Sequence, residues 1–440
     1  MALPTSNISQ RSLAAPAPAR QPVRQPVWSL GFEEVAYKGK PRRIRAQGHS
    51  GCCNPAMHHV GKSVAVSPIR RSDDAATRAA KAALSQPLEV ARGVTPPPAT
   101  KRPVREIHLS TVTLKEFEKV DGENHVEKGA FASVQLCQHK RIKQIFALKI
   151  MDKEKVSPHI LHIKQELAIA PTLDHPFIVR THKSFETEKS HFLIMDFIPG
   201  GELHKHICQS GERTVRYQRQ KYKVFTEPQA RFYAAEVLLA LDYLHNVRGV
   251  MYRDLKSENI LIGAYGHARL IDFGFAARLG KAQTETCGTP AYLAPEIIRH
   301  KGYNQAVDWW ALGILIYEML AGYPPFDSQL SMGSDEYCRE IYDQIKWYTG
   351  PKDLSFPKHF SRGAKDLIKG LLAVNPAERL GMGANIEPLK NHPFFKGLPM
   401  DAKILMRMVR NGEQKDLISP ISIDTSGNRL KYYRDENRRE

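Results

Sequence analysis

The stretch 252–274 gathers side chains suited to one chemistry. It reads Tyr252-Arg253-Asp254-Leu255-Lys256-Ser257-Glu258-Asn259, then an apolar run, then Asp272-Phe273-Gly274. A carboxylate, a lysine and a carboxamide share a short loop, and a second carboxylate follows a strand-like segment at 268–271. Moving a phosphoryl group from a nucleotide to an alcohol needs this assortment. One carboxylate must accept the hydroxyl proton, a cation must sit by the moving group, and two oxygen-bearing side chains must hold Mg²⁺. Asp254 and Lys256 are the candidates for the first two roles, and Asn259 and Asp272 for the third.

These residues need elements to hold them. Phe146-Ala147-Leu148-Lys149 alternates like a strand, and 163–170 has a helical pattern that carries Glu166. The run from Phe192 to Asp196 reads as a strand entering a turn at Pro199-Gly200-Gly201. Thr226-Glu227-Pro228 has the composition of a helix start, with Thr226 as cap and Pro228 in the first turn. The body of that helix, 231–244, is apolar at helical spacing and is expected in the core. The hydrophilic insert 211–223 is expected to loop into solvent.

The order and close spacing of the two motifs in 252–274 resemble the protein-kinase signature. Gly288-Thr289-Pro290, Ala294-Pro295-Glu296, Asp308-Trp309-Trp310 and Asn391-His392-Pro393-Phe394-Phe395 extend the resemblance to the end of a domain. It implies an α+β, bilobal protein-kinase fold with a small β-rich N-lobe and a large helical C-lobe. That domain is expected at 111–396, between an extension, 1–110, and a C-terminal tail, 397–440. It also implies ATP and Mg²⁺ as cofactors. Lys149 would grip the α- and β-phosphates and pair with Glu166. Val126, Gly129, Phe131 and Val134 would cover the nucleotide, with Ala147, Leu261 and Ile271 also against it. Met195 would gate the pocket behind adenine, and backbone groups around Asp196 and Ile198 would bond the base. Glu202 would take ribose hydroxyls or a substrate arginine. Glu296 is expected to pair with Arg379, and Asp308 to hold the catalytic-loop backbone. The phosphate cover departs from the family: of three expected glycines only Gly129 remains, with Glu127 and Ala132 at the other positions. That departure keeps an alternative open, a pseudokinase or scaffold with weak or no phosphotransfer.

The block from Gly302 to Gly313, together with Tyr252, resembles the AGC family of serine/threonine kinases, and within it the catalytic subunits of cAMP-dependent protein kinases. Lys256 with Thr289 also marks serine/threonine specificity. The resemblance implies basophilic protein substrates: Glu202, Glu258 and Glu318 stand where acids read arginines that precede the target hydroxyl. In the activation segment Glu285 occupies the place of a phosphorylated threonine. Arg253 and His162 are its expected basic partners, and a third is Ala277 here. Two readings stay open: Glu285 pairs with Arg253 and orders the segment without phosphate, or Thr284 or Thr286 is phosphorylated. Thr284 stands where relatives present a tryptophan to a cyclic-nucleotide-binding regulatory subunit, whereas Tyr342 matches them, so that partner also stays open.

Of the 440 residues 42% are hydrophobic and 25% charged, enough for a two-lobed domain plus extensions. No uninterrupted apolar run approaches the roughly 18 residues of a membrane helix. Six cysteines without a Cys-x-x-Cys pair indicate free thiols in a reducing, intracellular compartment. The cytoplasm is expected first, with the nucleus open. Of the net charge of +18, about +11 lies before residue 107. The excess therefore describes a basic tail, rich in Pro, Ala, Arg, Ser and Gly, that reads as largely disordered and able to touch anionic surfaces. Binding of nucleic acid or membrane through this tail is a third functional reading. The first 32 residues lack acids, as organellar leaders do, but prolines at 16, 18, 22 and 26 oppose the amphipathic helix a leader needs. Arg42-Arg43-Ile44-Arg45-Ala46 has the form of a pseudosubstrate, and Ser72-Asp73-Asp74 with the Ala-rich run to Leu84 that of a capped helix.

Overall fold

A computed structural model describes residues 109, 111–120, 127–128, 132–155, 160–210, 213–217, 220–328, 330, 334–383 and 385–410. All fall in the compact unit that includes His108–Glu440. The expectations for the basic tail, for Val126, Gly129 and Phe131, and for the chain beyond 410 lie outside the described residues.

The N-terminal lobe is an antiparallel sheet built from β1 (Phe117–Lys119), β2 (Glu127–Lys128), β3 (Ala132–His139), β4 (Ile145–Asp152), β5 (Thr181–Glu186) and β6 (Ser190–Asp196). The order is β1-β3-β4-β6-β5, with β2 also on β3. β4 and β6 are interior strands, and Phe146, Met151, Leu193 and Ile194 on them are fully buried. The register sets Val134 opposite Lys149 and Ala147 opposite Met195. With a side-chain period of two, those four residues share one face of the sheet. Helix α1 (Ile160–Ile169) meets the lobe through Ile163, which clusters with Met151 and Leu193.

The C-terminal lobe is helical: α2 (Leu203–Ser210), α3 (Glu227–Asp242), α4 (Ala306–Ala321), α5 (Asp335–Trp347), α6 (Arg362–Leu371) and α7 (Ala402–Arg410). The expected start of α3 forms. Thr226 Oγ1 accepts the Gln229 N–H and Gln229 Oε1 accepts the Thr226 N–H, a reciprocal capping box with Pro228 in the first turn. Every residue of α4 is buried, as a helix apolar on all sides must be. Its two carboxylates, Asp308 and Glu318, are therefore forced to find partners inside the protein. Gly322 ends the helix at φ 82°, where a Cβ would sit 2.6 Å from Tyr222.

The insert 211–223 corrects the sequence reading. It is a hairpin, β7 (Arg213–Tyr217) on β8 (Gln220–Val224), not a solvent loop. Its charge masked a period of two: Tyr222 and Val224 alternate with lysines, Val224 is fully buried and the Tyr222 ring lies 5.4 Å from Tyr323. Packing also continues past 396, since Leu405 on α7 is fully buried in the large core. Two further small sheets, β9 (Val250–Met251) with β12 (Ala277–Arg278) and β10 (Ile260–Ile262) with β11 (Ala268–Leu270), frame the stretch 252–274.

Arg379 and Glu296 form the expected pair, a buried fork: Nη1 to Oε1 at 2.7 Å and Nη2 to Oε2 at 3.0 Å. The guanidinium also donates to the carbonyls of Ala306 and Ala373 and lies over the Trp310 ring at 5.2 Å. Removing one partner of such a pair strands the other charge. Arg379→Ala should therefore cost about 3–5 kcal/mol, read as a fall in the thermal midpoint. Arg379→Met combined with Glu296→Gln should recover part of that loss, because no buried charge is then left alone.

Candidate active site

Asp308 holds the loop that carries the candidate base. Its carboxylate accepts the backbone N–H of Tyr252 at 2.8 Å and of Arg253 at 2.7 Å, and meets His245 Nε2 at 2.7 Å. Arg253 sits at φ 69°, a conformation that side chains with a Cβ seldom adopt. The next residue, Asp254, is nine-tenths buried. Its Oδ2 accepts Asn259 Nδ2 at 2.8 Å and lies 3.6 Å from Lys256 Nζ, and its Oδ1 accepts the Thr289 hydroxyl at 3.2 Å. Lys256 Nζ donates to Thr289 Oγ1 at 3.0 Å. Base candidate, lysine and threonine thus form one closed ring of contacts. Burial pushes the Asp254 carboxyl up, and the nearby Asp272 charge adds to it against the pull of Lys256. A raised carboxyl pKa suits a group that takes a proton.

Lys149 brings the two lobes together electrically. Its ammonium donates to Glu166 Oε1 at 2.7 Å and Asp272 Oδ1 at 3.1 Å. Burial opposes that charge, but the two carboxylates outweigh it and hold the ammonium above the ordinary lysine range. Glu166 itself is pushed up by burial, partly offset by Lys149. Asp272 goes the other way. Its desolvation is outweighed by Lys149 and by the Gly274 N–H, so it stays ionised below the usual carboxylate range. Like Arg253, Asp272 has a positive φ, 58°. The Asp272 side chain is 40% exposed, leaving room for a cation. Asn259 donates its nitrogen to both the carbonyl and the carboxylate of Asp254, which leaves its amide oxygen as the free donor atom. An all-oxygen pair of this kind fits Mg²⁺.

Most of the nucleotide-side residues expected from sequence lie among the described residues. Val134, Ala147 and Met195 share the Lys149 face of the sheet. The Asp196 N–H is occupied by the Arg180 carbonyl at 3.0 Å and its carboxylate by His182 at 2.7 Å. Ile198 and Ile271 pack against the large core. The segment after them is tied to the C-terminal lobe by Gly200 N–H to the Ile262 carbonyl, and by a bridge between Glu202 and Leu261.

In the segment from Gly274 to Ala294, Glu285 bridges two basic side chains. Glu285 meets His162 Nε2 at 2.6 Å through one oxygen and Arg253 Nη1 at 3.2 Å through the other. The His162 contact and then the Arg253 charge hold its carboxyl below the ordinary range. Thr284 is exposed, and Thr286 Oγ1 lies 3.5 Å from His300. Tyr342 on α5 packs against the core. Sequence reasoning missed Tyr303, whose hydroxyl accepts from Arg253 at 3.0 Å and donates to the Glu285 carbonyl at 2.7 Å. Tyr303 lies in the 302–313 block, but no local pattern gives it this role.

The three candidate acids for substrate are not equivalent. Glu258 and Glu318 share the Ser257 hydroxyl, at 3.3 and 3.2 Å, and Tyr292 donates to the second oxygen of Glu318. Glu202, just before α2, instead faces Lys205 of that helix at 3.8 Å. Sequence reasoning also missed His204, which points into the Glu258–Glu318 pair from α2.

Comparison with known proteins agrees with this arrangement. The family described as protein kinase domain matches residues 121–395. A cAMP-dependent protein kinase catalytic subunit of Dictyostelium discoideum is 40% identical over 288 residues, 65% of this chain and 40% of that protein. The cAMP-dependent protein kinase catalytic subunit PRKX of Homo sapiens is 39% identical over 63% of this chain and 72% of its own. The serine/threonine-protein kinase Sgk1 of Danio rerio is 36% identical over 70% and 66%. The match therefore covers less than half of the first of these relatives and about two thirds or more of the other two. This chain belongs to the protein kinase family, on its AGC branch and close to the catalytic subunits of cAMP-dependent protein kinases.

Proposed function

We propose that the chain is an ATP-dependent serine/threonine kinase that transfers the γ-phosphoryl group to protein substrates carrying arginine before the acceptor. The observation that supports the reading is two clusters, Lys149–Glu166–Asp272 and Asp254–Lys256–Thr289, whose residue types suit the roles of phosphoryl transfer. Lys149, fixed by Glu166, holds the α- and β-phosphates. Asp254 accepts the proton of the acceptor hydroxyl, at a carboxylate that Asn259 and Thr289 aim. Lys256 neutralises charge on the moving group. Asn259 and Asp272 would hold Mg²⁺, which when bound neutralises phosphate charge. The half-buried Glu258, the buried Glu318 and Glu202 supply carboxylates for guanidinium groups. This complete set disfavours the pseudokinase alternative, whose basis was Glu127 and Ala132 in the phosphate cover.

We further propose that Glu285 orders the activation segment without an upstream kinase. One carboxylate joins α1, through His162, to the catalytic loop, through Arg253. In this reading neither Thr284 nor Thr286 needs phosphate for basal activity.

Labelled ATP and a degenerate peptide library test the first proposal. Incorporation should concentrate on serine and threonine with upstream arginine. Asp254→Asn should lower kcat by about 10²- to 10⁴-fold, and Asp272→Ala should abolish transfer. Transfer at the wild-type rate by Asp272→Ala would end the reading. The pH dependence has a definite sign. The base must be ionised, and burial raises its pKa, so kcat should fall on acidification at a pH above the ordinary aspartate value of 3.8.

Protein made in bacteria and treated with phosphatase tests the second. It should keep its activity, and Glu285→Ala should lose most of it, with Thr284→Ala and Thr286→Ala close to wild type. Complete inactivation by phosphatase is the result that refutes it.

A further inference from the structure

We propose that His204 is the resident counter-cation of the Glu258–Glu318 pair, and that it competes with the guanidinium of an incoming substrate arginine. It thereby sets how strongly this subsite reads arginine. The inference rests on the arginine-reading role proposed above.

Glu318 is 6% exposed and fixed from three sides. Tyr292 holds one oxygen, while the other lies 3.2 Å from Ser257 Oγ and 3.4 Å from His204 Nδ1. Ser257 Oγ lies 3.3 Å from Glu258 Oε2 and 3.2 Å from the same imidazole nitrogen. One serine hydroxyl cannot neutralise two carboxylates. Through that shared hydroxyl the two carboxylates are drawn close, and like charges so crowded repel. A protonated imidazole relieves that crowding, and His204 is the imidazole within reach.

The groups around His204 carry charges of both signs. On α2 itself the Cys208 thiol lies 3.6 Å from Nε2, and Lys205 turns to Glu202. From α4 comes Glu318, and from the 257–259 turn Ser257 and Glu258, with Lys256 beside them. The 290–292 turn offers the Tyr292 hydroxyl. Strand β8, which packs on α2, carries Lys221 and Lys223. Burial opposes the imidazolium, but Cys208 and Glu318 outweigh it and raise its pKa above the ordinary histidine value of 6.5.

Such a cation differs from a substrate guanidinium in two ways. It offers one nitrogen to the pair, where a guanidinium offers a fork. Its side chain is 35% exposed, so it can leave. An arginine entering the pair lowers the affinity of His204 for its proton. Arginine binding therefore releases a proton, and affinity rises with pH between the two His204 pKa values.

The test is steady-state kinetics across pH with two matched serine peptides, one carrying upstream arginine and one carrying norleucine there. Wild type is compared with His204→Phe, a neutral ring, and His204→Gln, which keeps a hydrogen bond without charge. The wild-type KM for the arginine peptide should fall as pH rises. Both variants should lose that slope and show a KM about threefold to fivefold lower at neutral pH, with kcat changed less than twofold. The KM for the norleucine peptide should move in neither. Variants that keep the wild-type slope and KM, or that bind the arginine peptide more weakly, overturn the role of His204. A wild type that does not distinguish the two peptides overturns the arginine-reading proposal, and this inference with it.

Discussion

A single buried carboxylate, Asp308, carries the geometry of the site. Two adjacent backbone N–H groups, those of Tyr252 and Arg253, point into it. Arg253 is thereby kept in the left-handed region, a conformation that costs of order 1–3 kcal/mol for a residue with a Cβ. The strain persists because Asp308 sits on a helix with no exposed face and must find its partners inside the protein, these two N–H groups and His245. The turn that follows aims Asp254 at the cleft. The core helix and the candidate base are thus separated by one hydrogen-bonded step.

From the same residue the coupling runs outward. The Arg253 side chain donates to the Phe275 carbonyl, to Tyr303 and to Glu285. Glu285 then reaches His162 on α1, the helix that also carries Glu166. Loop, activation segment and N-terminal helix therefore share one network of charges, and a change at Glu285 is felt on two sides at once. The network joins only a few charges, and that makes it sensitive to single substitutions.

The site is also crowded with like charges that cancel only in place. Lys149 is balanced by Glu166 and Asp272, Lys256 by Asp254, and Glu318 by Tyr292, Ser257 and His204. Burial makes each imbalance expensive, so desolvation and neighbours set the proton affinities in opposite directions. Asp254 and Glu258 are raised while Asp272 is lowered. Carboxylates of the same chemistry are thereby divided into a group suited to take a proton and one suited to stay charged.

Much of the architecture was legible in the chain itself, because local rules fix local structure. The alternation at 146–149, the helical pattern at 163–170 and the Thr226 cap became β4, α1 and the capping box of α3. The hairpin at 213–224 was misread because the exposed Lys221 and Lys223 hid the alternation of Tyr222 and Val224. The candidate residues of the catalytic loop and of Asp272-Phe273-Gly274 were named from type and spacing, since their chemistry is written in adjacent positions. Tyr303 and His204 were not. Tyr303 lies 50 residues from Arg253, and His204 lies 114 from Glu318. Sequence by itself determined which functional groups exist and which short elements display them, because capping, periodicity and turn chemistry act over a few residues. Only the tertiary structure decided which charges face each other, because a buried charge takes its partner from wherever folding leaves one within about 4 Å.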